Sequence, residues 1–187
     1  MYRVFSRRLA VGASLVFGVM ACGDSATEPA GETEVISRVT LRLTPPNGGA
    51  AISAYIEDAD GNGPGAPAAQ VGTLALTKGV TYTGSVLFEN RLITPVGDIT
   101  AEVLKEASQH RVFYTVTAPG VTVSTTDVDA QNRALGLAST HAVASTATTG
   151  AGTVRVQLCH YPNAKVAGES TCSGETDILV TFGIAVN

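Results

Sequence analysis

From Val35 onward the chain alternates apolar and polar residues with period two, in short segments separated by Gly, Pro, Asn and Asp. Side chains on an extended strand point to opposite faces in turn, so this period builds half-buried strands and excludes a helical bundle. Val39, Leu41 and Leu43 alternate with Arg38, Thr40 and Arg42 before Pro45 to Gly49 breaks the run. Ile52, Ala54 and Ile56 form the next inward row, and Leu74 and Leu76 precede a turn at Lys78-Gly79. Tyr82, Val86 and Phe88 continue the pattern, as do Val112, Tyr114 and Val116 up to Pro119-Gly120, with Val121 and Val123 beyond it. Leu135, Leu137 and Val143 come next, followed by Val154, Val156 and Leu158. Ile178, Val180, Phe182, Ile184 and Val186 close the series.

About nine strands joined by such turns predict an all-β domain, an antiparallel two-sheet sandwich of immunoglobulin-like type, with a closed barrel as the alternative. One segment departs from period two. From Thr100 to about Gln109, Val103, Leu104 and Ala107 share a helical face and Glu102 sits near the N-terminal end of the dipole. A single short helix near residues 100–109 cannot supply the crossovers of a parallel sheet.

The start of the chain has a different logic. Arg3, Arg7 and Arg8 precede an apolar stretch from Leu9 to Met20, followed by Ala21 and Cys22. A basic head, a short apolar segment and a small residue before a cut describe an export signal, and the run is too short to cross a bilayer at about 20 residues per span. The tetrad VMAC resembles the lipobox of bacterial lipoproteins, which implies cleavage after Ala21 and a diacylglyceryl group on the Cys22 sulfur. Gly23 in place of an aspartate then implies transfer to the outer membrane, facing either the periplasm or the cell surface. The expected organisation is a signal peptide over 1–21, a lipidated cysteine and tether over 22–34, and one sandwich domain over 35–187. GDSATEPAGETE, small and acidic with no apolar periodicity, suits a solvated tether.

A wider resemblance covers nearly all of Val35 to Asn187. DADGNGPGAP, GVTYTGSVLFEN, DITAEV, HRVFYTV, GTVRVQLCH and GETDILVTF are similar, in this order, to segments of a group of small uncharacterised bacterial lipoproteins. Some members of that group bear the label of a type 1 periplasmic-binding fold, which implies an α/β sugar-binding architecture; the period-two alternation leads to an all-β domain instead. The resemblance implies lipoprotein character and brings no reaction with it.

Charge narrows the partners. The chain has 12 Lys+Arg against 16 Asp+Glu, and loss of the three leader arginines makes the remainder more acidic still. No basic stripe is present to neutralise phosphates, which excludes nucleic acid as a partner. The expected partners are a membrane, through the lipid, and a protein or small-molecule ligand that the sequence does not specify. With Cys22 committed to lipid, Cys159 and Cys172 remain in an oxidising compartment and are expected to pair, closing a short loop worth roughly 3 kcal/mol.

Four groups of residues carry candidate chemistry. Asp58, Asp60 and Asn62, with Gly63 at the sixth position, follow the spacing of a calcium loop, whereas Ala69 stands where a bidentate Glu would complete an EF-hand. The same residues also satisfy a plain Asx turn. Asp127, Asp129 and Asn132 make a second acidic turn, and Glu175 and Asp177, just before the last strand, either complete a cation site or cap a solvated loop. Glu102, Glu106 and His110 recur at spacing four, so a helix reaching His110 would put them on one face; with His160 they would form a carboxylate and imidazole site for a transition metal. His141 and His160 fall in phase with buried rows and equally suit the edge of the core. No GxSxG, HExxH, phosphate-binding glycine loop or dinucleotide fingerprint occurs. Two functions follow as expectations: a lipid-anchored binding or structural module, with calcium as an optional stabiliser, or a metal-handling or hydrolytic protein working through Glu102, Glu106, His110 and His160.

Overall fold

A computed structural model describes residues 34–59 and 69–187. Strands β1 (Arg38–Thr44), β2 (Ile52–Glu57), β3 (Val71–Gly72), β4 (Leu74–Leu76), β5 (Thr81–Asn90) and β6 (Gly97–Asp98) precede a helix, α1 (Ile99–Lys105). β7 (His110–Val116), β8 (Val121–Thr125), β9 (Ala138–Val143), β10 (Gly150–His160) and β11 (Glu175–Val186) follow it. One sheet runs β3-β2-β1-β5-β9-β8 with β6 added beside β5, and the other runs β4-β11-β10-β7. All pairings are antiparallel except β11 with β4. The chain is therefore an all-β two-sheet sandwich, and the two strands beyond nine are the short β3 and β6 segments.

The alternation predicted which side chains fill the space between the sheets. Val39, Leu41 and Leu43 of β1 and Val86 and Phe88 of β5 face Val154, Val156 and Leu158 of β10 and Ile178, Val180 and Phe182 of β11 in one buried cluster. Burying each such side chain contributes on the order of 1.5–3 kcal/mol, so these rows hold the sheets together. Gly84 interrupts the inward row of β5 for a steric reason. A Cβ there would stand 2.8 Å from His141 Nε2, and this space admits the buried Ser139 and His141 of β9.

The helix ends sooner than its periodicity predicts. Asp98 caps it by accepting from Ala101 N, but Glu106 is already its C-cap and residues 106–109 form a turn into β7. His110 is thus the first residue of a strand, and the expected helical face joining Glu102, Glu106 and His110 does not form. Pairing with β10 decides this: His110 lies opposite His160 in register, and Tyr161 N donates to Gln109 O. No helix among the described residues is long and apolar enough to cross a membrane.

Cys159 and Cys172 are disulfide-bonded, with Cα atoms 5.7 Å apart, tying the end of β10 to the loop before β11. The start of β1, the end of β5, the start of β7, the end of β10 and the start of β11 all meet at one end of the sandwich.

Candidate metal centre

Four ionisable side chains converge at that end. Glu34, His110, His160 and Asp177 each offer a ligand atom, and these atoms lie within 4.8 Å of one another. Both histidines come from the last register pair of β7 and β10, which stacks their rings at 4.5 Å with 24° between planes. Their even-numbered phase continues the buried rows Val112 and Val156, Leu158, so alternation aims them inward.

Asp177 reaches the cluster by breaking the alternation. Leu158 pairs with Ile178 and Cys159 with Thr176, leaving Asp177 as the extra residue of a β-bulge. A bulge re-aims one side chain, and here it buries Asp177 beside Ile178 on the inner face. Gly174, just ahead of β11, lets the chain come in close, because a Cβ there would run into the His160 carbonyl. Glu34 arrives from the other sheet, four residues ahead of β1.

The distances describe a close ionisable cluster. His110 Nε2 lies 2.9 Å from Glu34 Oε1 and 3.8 Å from Asp177 Oδ2, and His160 Nδ1 lies 3.8 Å from Asp177 Oδ1. Among the described residues, seven buried side-chain N and O atoms lack a hydrogen-bond partner, and five of them belong to these four residues. Burial without a partner costs a polar atom about 1–3 kcal/mol and a charged one more, so such a concentration calls for an ion. The His110 to Glu34 contact has ion-pair distance without hydrogen-bond alignment.

The protonation states bear the same mark. Burial, reinforced by the adjacent Glu34 charge, pushes the Asp177 carboxyl up to about 8 against the pull of His110. Burial also opposes charge on Glu34 and on His110, but each is outweighed by the other's proximity, so Glu34 is lowered and His110 raised.

A second layer fixes His110. Its Nδ1 lies 3.3 Å from Glu106 O, an arrangement that assigns the proton to Nδ1 and leaves Nε2 as the ligand atom. The His110 carbonyl accepts from the buried Lys165 Nζ at 2.9 Å, which also donates to Ala107 O at 2.7 Å and faces Asp129 Oδ2 at 3.5 Å. Arg133 completes this layer by donating from Nε to Asp129 Oδ2 and from Nη1 to Lys165 O.

Of the sequence-predicted sites, His110 and His160 are brought together, with Glu34 and Asp177 rather than with Glu102 and Glu106. Glu102 is exposed on the helix, and Glu106 contributes its carbonyl, not its carboxylate, to His110. Glu34, placed by composition at the end of the tether, supplies a ligand instead. Asp127 and Asp129 are occupied within their own turn, accepting from Gly136 N and Ala138 N and from Gln131 N and Arg133 N respectively. Asp58 is buried, with its N–H donating to Ser37 O, whereas Asp60 and Asn62 of the calcium-loop spacing lie outside the described residues, as does Cys22. His141 lies in the core, its Nε2 3.0 Å from Ser139 Oγ and its ring edge-on to Tyr114 at 5.8 Å.

Two imidazoles with two carboxylates are a mixed nitrogen and oxygen set, suited to a first-row divalent transition cation and poor for calcium or magnesium, which take oxygen. No protein-family model, curated protein or solved structure matches this chain.

Proposed function

We propose that this protein is a lipid-anchored envelope protein whose sandwich holds one first-row divalent cation of the zinc class through Glu34, His110, His160 and Asp177. The observation that carries the metal reading is the convergence of four ligands, His110, His160 and Asp177 buried and Glu34 half-buried, five of whose side-chain atoms lack a hydrogen-bond partner. The leader ending at Cys22 supports the anchor. Four protein ligands and deep burial describe a closed centre of structural type, with no position left for a substrate. Such an ion joins the sheets, because three ligands stand on β7, β10 and β11 while Glu34 leads into β1 of the opposite sheet.

The test is elemental analysis and zinc titration of the purified protein after chelator treatment, beside His160→Ala and the double variant His160→Ala/Asp177→Asn. One tightly bound ion per chain is expected in the parent, with affinity falling about a hundredfold or more in the single variant, beyond the 10–100-fold typical of losing a supporting residue. A parent that binds no ion, or a double variant that keeps it, overturns the reading.

A further inference from the structure

The hairpin joining β5 to β6 carries the wrong residues for an exposed turn. Between the paired Asn90 and Gly97 the loop reads Arg91-Leu92-Ile93-Thr94-Pro95-Val96. Leu92 and Ile93 are each 52% exposed and Val96 is 45% exposed. Turns are ordinarily made of Gly, Asn, Asp and Ser with Pro, whereas no charged residue occurs from Leu92 to Gly97. Single exposed aliphatics are ordinary on protein surfaces; three on one hairpin tip, rimmed by Arg91 and Asp98, form the kind of patch that marks a contact surface.

The tip is held in place. Buried Asn90 accepts from Leu92 N through Oδ1 at 3.0 Å, and Arg91 N donates to Ser37 Oγ at 2.7 Å. Ile93 packs onto Gly97, where a Cβ would come within 3.2 Å of its Cδ1. The aliphatic groups are therefore presented outward from a fixed base instead of folding back onto the sandwich.

Ser37 sets the orientation. It lies three residues past Glu34, so the tip adjoins the point at which the chain comes into the domain. Only Gly23 to Thr33 separate Glu34 from Cys22, and that length reaches at most about 40 Å even when fully extended, at up to 3.6 Å per residue. The end of the sandwich that carries the aliphatic tip is the end tethered to the bilayer.

We infer that Leu92, Ile93 and Val96 insert into the lipid interface to which Cys22 is attached, so that the domain stands on the membrane with its metal end downward. This inference rests on the anchor half of the proposed function and is independent of the metal. The attraction is apolar insertion and not charge, since the chain as a whole is acidic and Arg91 at the base of the tip is paired with Glu89 at 3.3 Å.

The experiment uses the full chain purified from membranes, its acyl group verified by intact mass, in vesicles of phosphatidylethanolamine and phosphatidylglycerol. A polarity-sensitive fluorophore is placed on Leu92→Cys, on Ile93→Cys as a second tip position, and on Thr148→Cys at the opposite end of the sandwich. The expected result is a blue-shifted label at the tip positions, quenched severalfold more by lipids carrying quenchers near the headgroup than the label at residue 148. Acylated, vesicle-bound protein whose tip and opposite-end labels quench alike overturns the inference while leaving the anchor standing. Shielding of the tip in vesicle-free solution that grows with protein concentration assigns the patch to a second copy and also overturns it. An unmodified Cys22 in protein that stays off the vesicles removes the anchor and the inference together, and the mass spectrum separates that failure from the others.

Discussion

His110 and His160 face each other across β7 and β10, in register and ring on ring at 4.5 Å. Side by side they would repel if both were protonated, and each is buried to within 5% of full enclosure. Glu34, ahead of β1, and Asp177 of β11 close over the pair, so this end of the sandwich gathers four ionisable side chains whose ligand atoms lie within 4.8 Å of one another.

Replacing Asp177 by Asn separates a binding role from a stabilising one. Burial and the Glu34 charge raise the Asp177 carboxyl to about 8, so without metal at neutral pH it is protonated and, like an amide, neutral. In chelator at pH 7, Asp177→Asn is expected to match the parent's stability to within about 1 kcal/mol, the worth of one hydrogen bond. The parent should gain about 2.7 kcal/mol from zinc at 100 times its dissociation constant, and the variant should lose that gain. Chemical denaturation with and without zinc measures both; a variant destabilised in chelator would show the carboxylate to be a structural ion-pair partner.

Lys165 acts on the site through the backbone. Lys165→Met leaves the Ala107 and His110 carbonyls unmet, at about 1–3 kcal/mol each, and frees the segment that orients His110. Zinc affinity is expected to fall about 10–100-fold, as for other supporting residues of metal sites. Titration of the folded variant checks this, and unchanged affinity would confine Lys165 to the fold.

His141 makes the domain sensitive to acid. Burial holds its pKa down at about 4, below the value of about 6.5 it takes in an unfolded chain. Between those values the unfolded chain binds the proton and the folded one does not, so stability is intact above about pH 6.5 and declines as pH falls towards 4. The loss amounts to up to roughly 3 kcal/mol. Urea denaturation at pH 7 and pH 4.5, for the parent and His141→Gln, isolates the contribution; parallel losses in the two proteins would contradict it.

Gly84 is predicted to tolerate no side chain. In Gly84→Ala the new Cβ would come 2.5 Å from Ser139 Oγ and 2.8 Å from His141 Nε2, and both neighbours are fully buried. Overpacking of this kind costs about 1–3 kcal/mol. A lowered thermal midpoint is expected, whereas an unchanged one would mean that β5 and β9 can part without cost.

Local alternation made much of this protein legible before any coordinates. Apolar side chains at every second position must be buried on one face, so the rows of β1, β5, β10 and β11 and the phase of His160 follow from period two alone. The pairing of Cys159 with Cys172 was likewise expected from the cysteine count. Helical spacing misled at Glu102 and Glu106, because strand pairing between His110 and His160 outweighs the propensity of a short helix that ends at Lys105. Asp177 stood out as a carboxylate for a cation site, but nothing in the sequence joined it to the histidines, and Glu34 carried no signal at all. Asp177 faces outward by the strand period and turns inward only through a bulge, and Glu34 sits in a stretch whose composition reads as spacer. Which faces are apolar is a local matter, set by neighbours two residues apart. Which acids meet the histidines is not local, because residues 34, 110, 160 and 177 come to a single point when one sheet closes over the other.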